Sequence, residues 1–156
     1  MMGTRPASLQ TGLAIRAAVI DSGGQKLALG QAATGRLQML LFERGHWCSS
    51  CRRHLGLING QIAEFTTRAI DVVAITHEPA SDLSSRIYSF PIIADPNLEL
   101  AADFDVVGDD EFGKRTIRPA TILVDEHGTI RFSYVGDDSR DRPTIPALLL
   151  ALDNLI

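Results

Sequence analysis

Cys48 and Cys51 are the only cysteines in the chain, and two residues, Ser49 and Ser50, separate them. They follow the apolar run Leu37-Gln38-Met39-Leu40-Leu41-Phe42 and open a stretch whose apolar residues recur at helical spacing. Thiols at positions i and i+3 in the first turn of a helix lie on one face and can close a small disulfide ring. The partial positive charge of a helix N-terminus pushes the first sulfur toward thiolate, the form that attacks disulfides and peroxides. The pair therefore reads as a redox centre. Arg44, Arg52 and Arg53 flank it and can lower a thiol pKa by their charge, although arginines beside a helix are commonly solvated.

Metal binding is the competing chemistry, because His46, Cys48, Cys51 and His54 offer two imidazoles and two thiols to zinc or copper. Such a shell crowds four ligands into nine residues, whereas separated ligand pairs are the commoner zinc pattern. No metal or other cofactor is expected; His46 and His54 are expected to border the redox site, and His77 and His127 to sit in loops. Asp95-Pro96 fits a turn and Asp109-Asp110-Glu111 a solvated loop, neither having the alternating ligands of a calcium site. No Gly-x-x-x-x-Gly-Lys pattern is present for nucleotide phosphates.

The elements that must position the cysteines follow from periodicity. Leu13 to Ile20 and Lys26 to Leu29 flank the turn signal Asp21-Ser22-Gly23-Gly24-Gln25, which predicts an N-terminal hairpin. Leu37 to Glu43 reads as a strand covered on both faces, so the sulfurs sit at its C-terminal end. Leu55, Ile58, Ile62 and Phe65 predict a helix to about Arg68, with a weak point at Asn59-Gly60. Ile70 to Thr76 reads as a buried strand, parallel to the first through a right-handed crossover. Asp82 to Tyr88 is a helix candidate, Pro91 to Ala94 a short strand and Leu98 to Phe104 a helix. Val107 to Lys114 reads as an exposed loop. Thr121 to Val124 and Thr129 to Val135 predict a hairpin, and Pro143 opens a last helix with Leu148, Leu149, Leu152 and Leu155 on its apolar face.

A chain of 156 residues, 45% hydrophobic and 22% charged, suits one domain over residues 1–156, with residues 1–12 a flexible leader. Such a domain buries roughly two thirds of its unfolded surface and needs no disulfide staple. The net charge of -4, without a Lys/Arg block, argues against nucleic-acid binding. No apolar run approaches the roughly 20 residues of a membrane span, and the N-terminus lacks the order of a signal peptide. A cytoplasmic location is expected, where a close-spaced cysteine pair is catalytic or metal-binding rather than structural.

Three segments together, Phe42 to Cys51, Ser89 to Asp95 and Arg118 to Gly128, resemble the thioredoxin-like superfamily and, within it, the alkyl hydroperoxide reductase/thiol-specific antioxidant branch. The resemblance implies a thioredoxin fold: an α/β sandwich with a central mixed sheet flanked by helices. It assigns Cys48 as the exposed attacking thiol, Cys51 as the more buried resolving thiol, and Pro119 as a cis-proline beside them. Arg118 then offers backbone groups to an extended substrate, and Trp47 walls the site. Peroxiredoxins of this branch carry Pro-x-x-x-Thr-x-x-Cys and a catalytic arginine. If Cys51 takes the peroxidatic place, Cys48 falls at the threonine position, Arg44 at the proline position, and Pro119 where the arginine belongs, with Arg118 one residue off register. Both departures weaken peroxide activation. The expectation is therefore thiol–disulfide exchange in antioxidant defence, with hydroperoxide reduction as the alternative and a metal-binding or non-catalytic sensor role behind both. Expected partners are a disulfide or hydroperoxide substrate and a thioredoxin- or glutathione-type reductant. Thioredoxins also place an acid in the strand before the pair; Glu43 is the nearest candidate for proton transfer, and a strand-end glutamate facing solvent is the plainer reading.

Overall fold

The predicted N-terminal pairing forms between β1 (Ala18–Ser22) and β2 (Gln25–Leu29), antiparallel, with Ala18 opposite Leu29 in register. The computed structural model describes residues 18–22, 25–45, 47–79 and 88–155. The expected leader, and nearly all of the helix expected over Asp82 to Tyr88, lie outside them.

The apolar run forms β3 (Leu37–Glu43), followed by α1 (Ser49–Gly60), α2 (Ile62–Thr66) and β4 (Ile70–Thr76). The break between the helices falls at the predicted weak point: Gly60 ends α1, and Gln61 leaves helical geometry at φ -114° and ψ 21°. β4 runs parallel to β3, with Leu37 opposite Ile70 and Glu43 opposite Thr76. β5 (Ile92–Ala94) adds in parallel to β4, and α3 (Glu99–Asp103) follows. Buried Asp95 does more than shape a turn, because its carboxylate accepts the backbone N–H groups of Leu100 (3.1 Å) and Ala101 (2.9 Å) at the start of α3.

The stretch expected as an exposed loop instead makes a second hairpin, β6 (Val107–Asp109) with β7 (Arg115–Ile117). Its tip is closed by Asp110, whose carboxylate accepts from the Phe112 and Lys114 amides at 2.8 and 2.9 Å. Then come β8 (Ala120–Val124), β9 (Ile130–Val135) and α4 (Ile145–Asp153). Thr144 caps α4 by accepting from the Ala147 N–H, and the proline in its first turn is Pro146, not Pro143. The central sheet has the order β5-β4-β3-β8-β9, mixed because β8 is antiparallel to β3. No described helix is long and apolar enough to cross a membrane.

Side-chain alternation divides the core into two layers. Met39 and Leu41 pack with Leu55 and Ile58 of α1 and Leu148 and Leu152 of α4. Leu40 and Phe42 pack with Val73, Ile75, Phe104 and Ile122 on the other face. A strand covered on both sides has no polar alternation to show, which explains the continuous apolar run. The parity also decides where the last residue points: Glu43 follows Met39 and Leu41 onto the face covered by α1 and α4.

Candidate active site

Where β3 ends, the chain must turn from the sheet into α1, and the turn is built around Gly45. Its φ of +148° is one that side-chain-bearing residues rarely adopt, and a Cβ there would meet the Trp47 indole nitrogen at 2.7 Å. The Cys48 N–H donates to the Gly45 carbonyl (3.1 Å), which sets Cys48 as the N-cap of α1. Arg44, buried, folds over this turn. Its Nη2 donates to Cys48 Sγ at 3.4 Å, its Nη1 to Glu111 Oε2 at 2.9 Å, and its guanidinium lies 5.1 Å from the centre of the Trp47 ring. Arg44 Nε is buried and has no hydrogen-bond partner among the described residues.

Hydrogen bonding to the Cys51 thiol, joined by the Arg44 charge, outweighs burial and lowers the Cys48 thiol to a pKa of about 5. Cys51 goes the other way. The same thiol–thiol hydrogen bond, burial and the negative charge of Glu43 together raise it. One sulfur is thus held as thiolate and the other as thiol.

Behind Cys51 lies a buried polar cluster. Arg142, from the loop before α4, donates through Nη2 to Cys51 Sγ (3.3 Å) and through Nη1 to Glu43 Oε2 (2.5 Å). The other carboxylate oxygen of Glu43 lies 2.6 Å from His54 Nδ1. Burial alone would raise the Glu43 carboxyl, but His54 and Arg142 outweigh it and hold it below the usual carboxylate range.

The expected site residues come together in part. Arg44, Arg118 and Pro119 wall one cleft of about 270 Å³ with Asp110 and Glu111. β8 begins with Ala120 opposite Phe42, which brings Pro119 to the end of β3. Trp47 is half exposed and stacks on Arg44. Four expectations need correction. Cys48 is not exposed but buried, at 4% exposure, because the Arg44 turn covers it. Glu43 does not face solvent; strand parity turns it inward, fully buried. The bond before Pro119 is trans, since among the described residues no peptide bond is cis. The Arg118 backbone N–H, expected to face a substrate, donates to the Val106 carbonyl at 2.7 Å, and its guanidinium donates to the Gly136 carbonyl and pairs with Asp137; the arginines bonded to the two sulfurs are Arg44 and Arg142.

Sequence reasoning did not find Arg142 or Glu111. Nothing local marks either one, for they arrive from 91 and 67 residues away from the groups they bind. The inward positions of Glu43 and His54 were available: Glu43 from the alternation of Leu37, Met39 and Leu41, and His54 from its place on the stripe of Cys51, Leu55 and Ile58. His46 lies outside the described residues, among which no group of three or more His, Cys, Asp or Glu side chains could hold a metal ion.

The AhpC/TSA family model matches residues 12–133. No curated protein matches the chain in sequence. Among solved structures, peroxidoxin BcpB of Mycobacterium tuberculosis is similar at 19% identity and a TM-score of 0.74, over 94% of this chain and 96% of that one. A peroxiredoxin-like protein of Aquifex aeolicus superposes with a TM-score of 0.77 at 16% identity, over 95% and 88% of the two chains. Mycobacterium bovis AhpC gives 0.75 at 16%, over 94% and 92%. These likenesses establish the expected thioredoxin fold with its central mixed sheet.

Proposed function

The chain belongs to the AhpC/TSA family of thiol-dependent oxidoreductases, and from that premise we propose that it is a thiol peroxidase that reduces small hydroperoxides, with Cys48 as nucleophile and Cys51 as resolving thiol. The observation that carries this reading is the setting of the Cys48 sulfur. It is buried, ionised at neutral pH, and bonded to an arginine whose Nε remains unpaired among the described residues. A small peroxide suits a covered sulfur beside an unused guanidinium donor, whereas a folded protein disulfide needs an exposed attacking thiol.

In the proposed cycle, Cys48 thiolate attacks one peroxide oxygen. An S–O bond forms, the O–O bond breaks, and the other oxygen leaves as alcohol or water after taking a proton. Arg44 stabilises the charge developing on the oxygens. Cys48, oxidised by two electrons to sulfenic acid, is then attacked by Cys51; the S–S bond forms, and water leaves carrying the Cys51 proton. A dithiol or two monothiols of the thioredoxin or glutathione type return the two electrons.

The test is hydroperoxide consumption with thiol counting. Cys48→Ser abolishes peroxide reduction. Cys51→Ser completes one oxidation and stops at a sulfenic acid that a dimedone-type reagent traps. Sulfenic acid forming instead at Cys51 in the Cys48→Ser protein reverses the assignment. Slow oxidation of the wild-type protein by peroxide, with rapid exchange against a small disulfide, returns the earlier expectation.

A further inference from the structure

A second cleft, of about 390 Å³, is walled by Arg53, His54, Arg140 and Arg142, with Ser50 and Leu57 beside them. Among the described residues no acidic one lines it, whereas the cleft at Arg44 carries Asp109, Asp110 and Glu111. One side chain separates it from buried Cys51, because Arg142 forms its wall and also bonds Cys51 Sγ. Arg142 is already engaged by Glu43 and Cys51, so Arg53 and Arg140 supply the excess charge.

The side chain of His54, 5% exposed, marks a point of attachment. Its Nδ1 is taken by Glu43, while its Nε2 is buried and has no hydrogen-bond partner among the described residues. Buried polar atoms are seldom left in that condition. When both ring nitrogens carry protons, Nδ1 donates to the Glu43 carboxylate and Nε2 is left to donate to a second carboxylate, which is acceptor only. Leu57, 46% exposed, adds an apolar wall suited to a short carbon chain.

We propose that this cleft binds the carboxylate of a small organic molecule and presents that molecule to the cysteine pair. Arg53 and Arg140 hold the charge, and His54 Nε2 fixes its direction. Guanidinium groups suit this task because their planar fork matches a carboxylate. The ligand is either a thiol reductant or a hydroperoxide that carries a carboxylate; what it does once bound rests on the peroxidase reading, but binding itself does not.

The experiment titrates the reduced full chain with (methylthio)acetate, which cannot exchange with thiols, and with neutral (methylthio)acetamide, following the His54 ring and α1 amides by NMR. The expected result is saturable shifts with the carboxylate alone, weakened about tenfold by the Arg53→Gln/Arg140→Gln double substitution. Equal response to carboxylate and amide, no saturation, or undiminished binding to the double variant overturns the proposal. Two kinetic arms identify the source: mercaptoacetate against mercaptoethanol on the oxidised protein, and a carboxylate-bearing alkyl hydroperoxide against tert-butyl hydroperoxide on the reduced one. A preference for charge in one arm, lost in the double variant, names the ligand class; a preference in neither overturns the claim that the ligand serves the cysteines. Hydrogen peroxide carries no carboxylate, so its rate with the wild-type protein judges the peroxidase reading alone. A chain inert to it that still binds (methylthio)acetate retires that reading and keeps the cleft.

Discussion

Each sulfur of the pair has an arginine, yet the two have opposite proton affinities. The Cys51 thiol and the Arg44 guanidinium both donate to Cys48, while Cys51 shares Arg142 with buried Glu43, whose negative charge opposes ionisation. With Cys48 at about 5, deprotonation creates the nucleophile, so the rate of peroxide oxidation rises as pH climbs through about 5 and levels before neutrality. Arg44→Gln removes a charge and a donor. It moves that midpoint upward, and at neutral pH it slows oxidation by about 10- to 100-fold, measured by stopped-flow thiol loss across pH. An unshifted midpoint takes Arg44 out of the site. The thiolate itself was legible from two cysteines at a helix start. The arginine bonded to it was visible only as one of three flanking candidates, since a sequence does not say which of Arg44, Arg52 and Arg53 turns inward.

The elements that carry the site were legible wherever the apolar pattern was long. Leu37–Glu43 and Ile70–Thr76 fall where their composition puts them, because strands buried on both faces write themselves as uninterrupted apolar runs. β6 and β7 escaped notice: each has three residues, and the polar tip between them reads as loop. That hairpin nevertheless matters to the chemistry, since its tip supplies Glu111 to Arg44. The turn from β3 to α1 is the most constrained joint. Gly45→Ala must either leave its positive φ or displace Trp47. We expect a loss of about 1–3 kcal/mol in urea unfolding, accompanied by a higher Cys48 pKa as the Arg44 contact loosens. Unchanged stability would mean that the turn relaxes without strain.

Across the whole molecule, Glu43, His54 and Arg142 join β3, α1 and the loop before α4, closing a contact between residues 99 apart in sequence. Buried ions gain little as a set but cost heavily when one partner goes. Arg142→Met, which strands the Glu43 charge, is expected to cost about 3–5 kcal/mol, and Glu43→Met in the same chain to restore most of it, both read from denaturant unfolding. The carboxyl of Glu43 is depressed in the folded state. Its contribution is therefore present above the unfolded carboxylate range and is lost as pH falls through the lower folded value. Glu43→Gln should flatten that acid limb of the stability curve; an unaltered limb would assign it to other carboxylates. No sequence pattern announces this closure, because it depends on where the last strand and loop return.

Trp47, the only tryptophan in the chain, stacks on the guanidinium that holds the Cys48 sulfur and is half open to solvent. Oxidation of that sulfur removes a negative charge one residue from the indole and weakens one of the two bonds of the guanidinium above it, leaving the one to Glu111. The protein consequently carries its own optical gauge. Its emission comes from a single tryptophan and needs no attached dye, and it is expected to change as the neighbouring sulfur is oxidised, so that reduced and oxidised populations are counted by light; an emission trace that stays flat while thiols are lost would refute this.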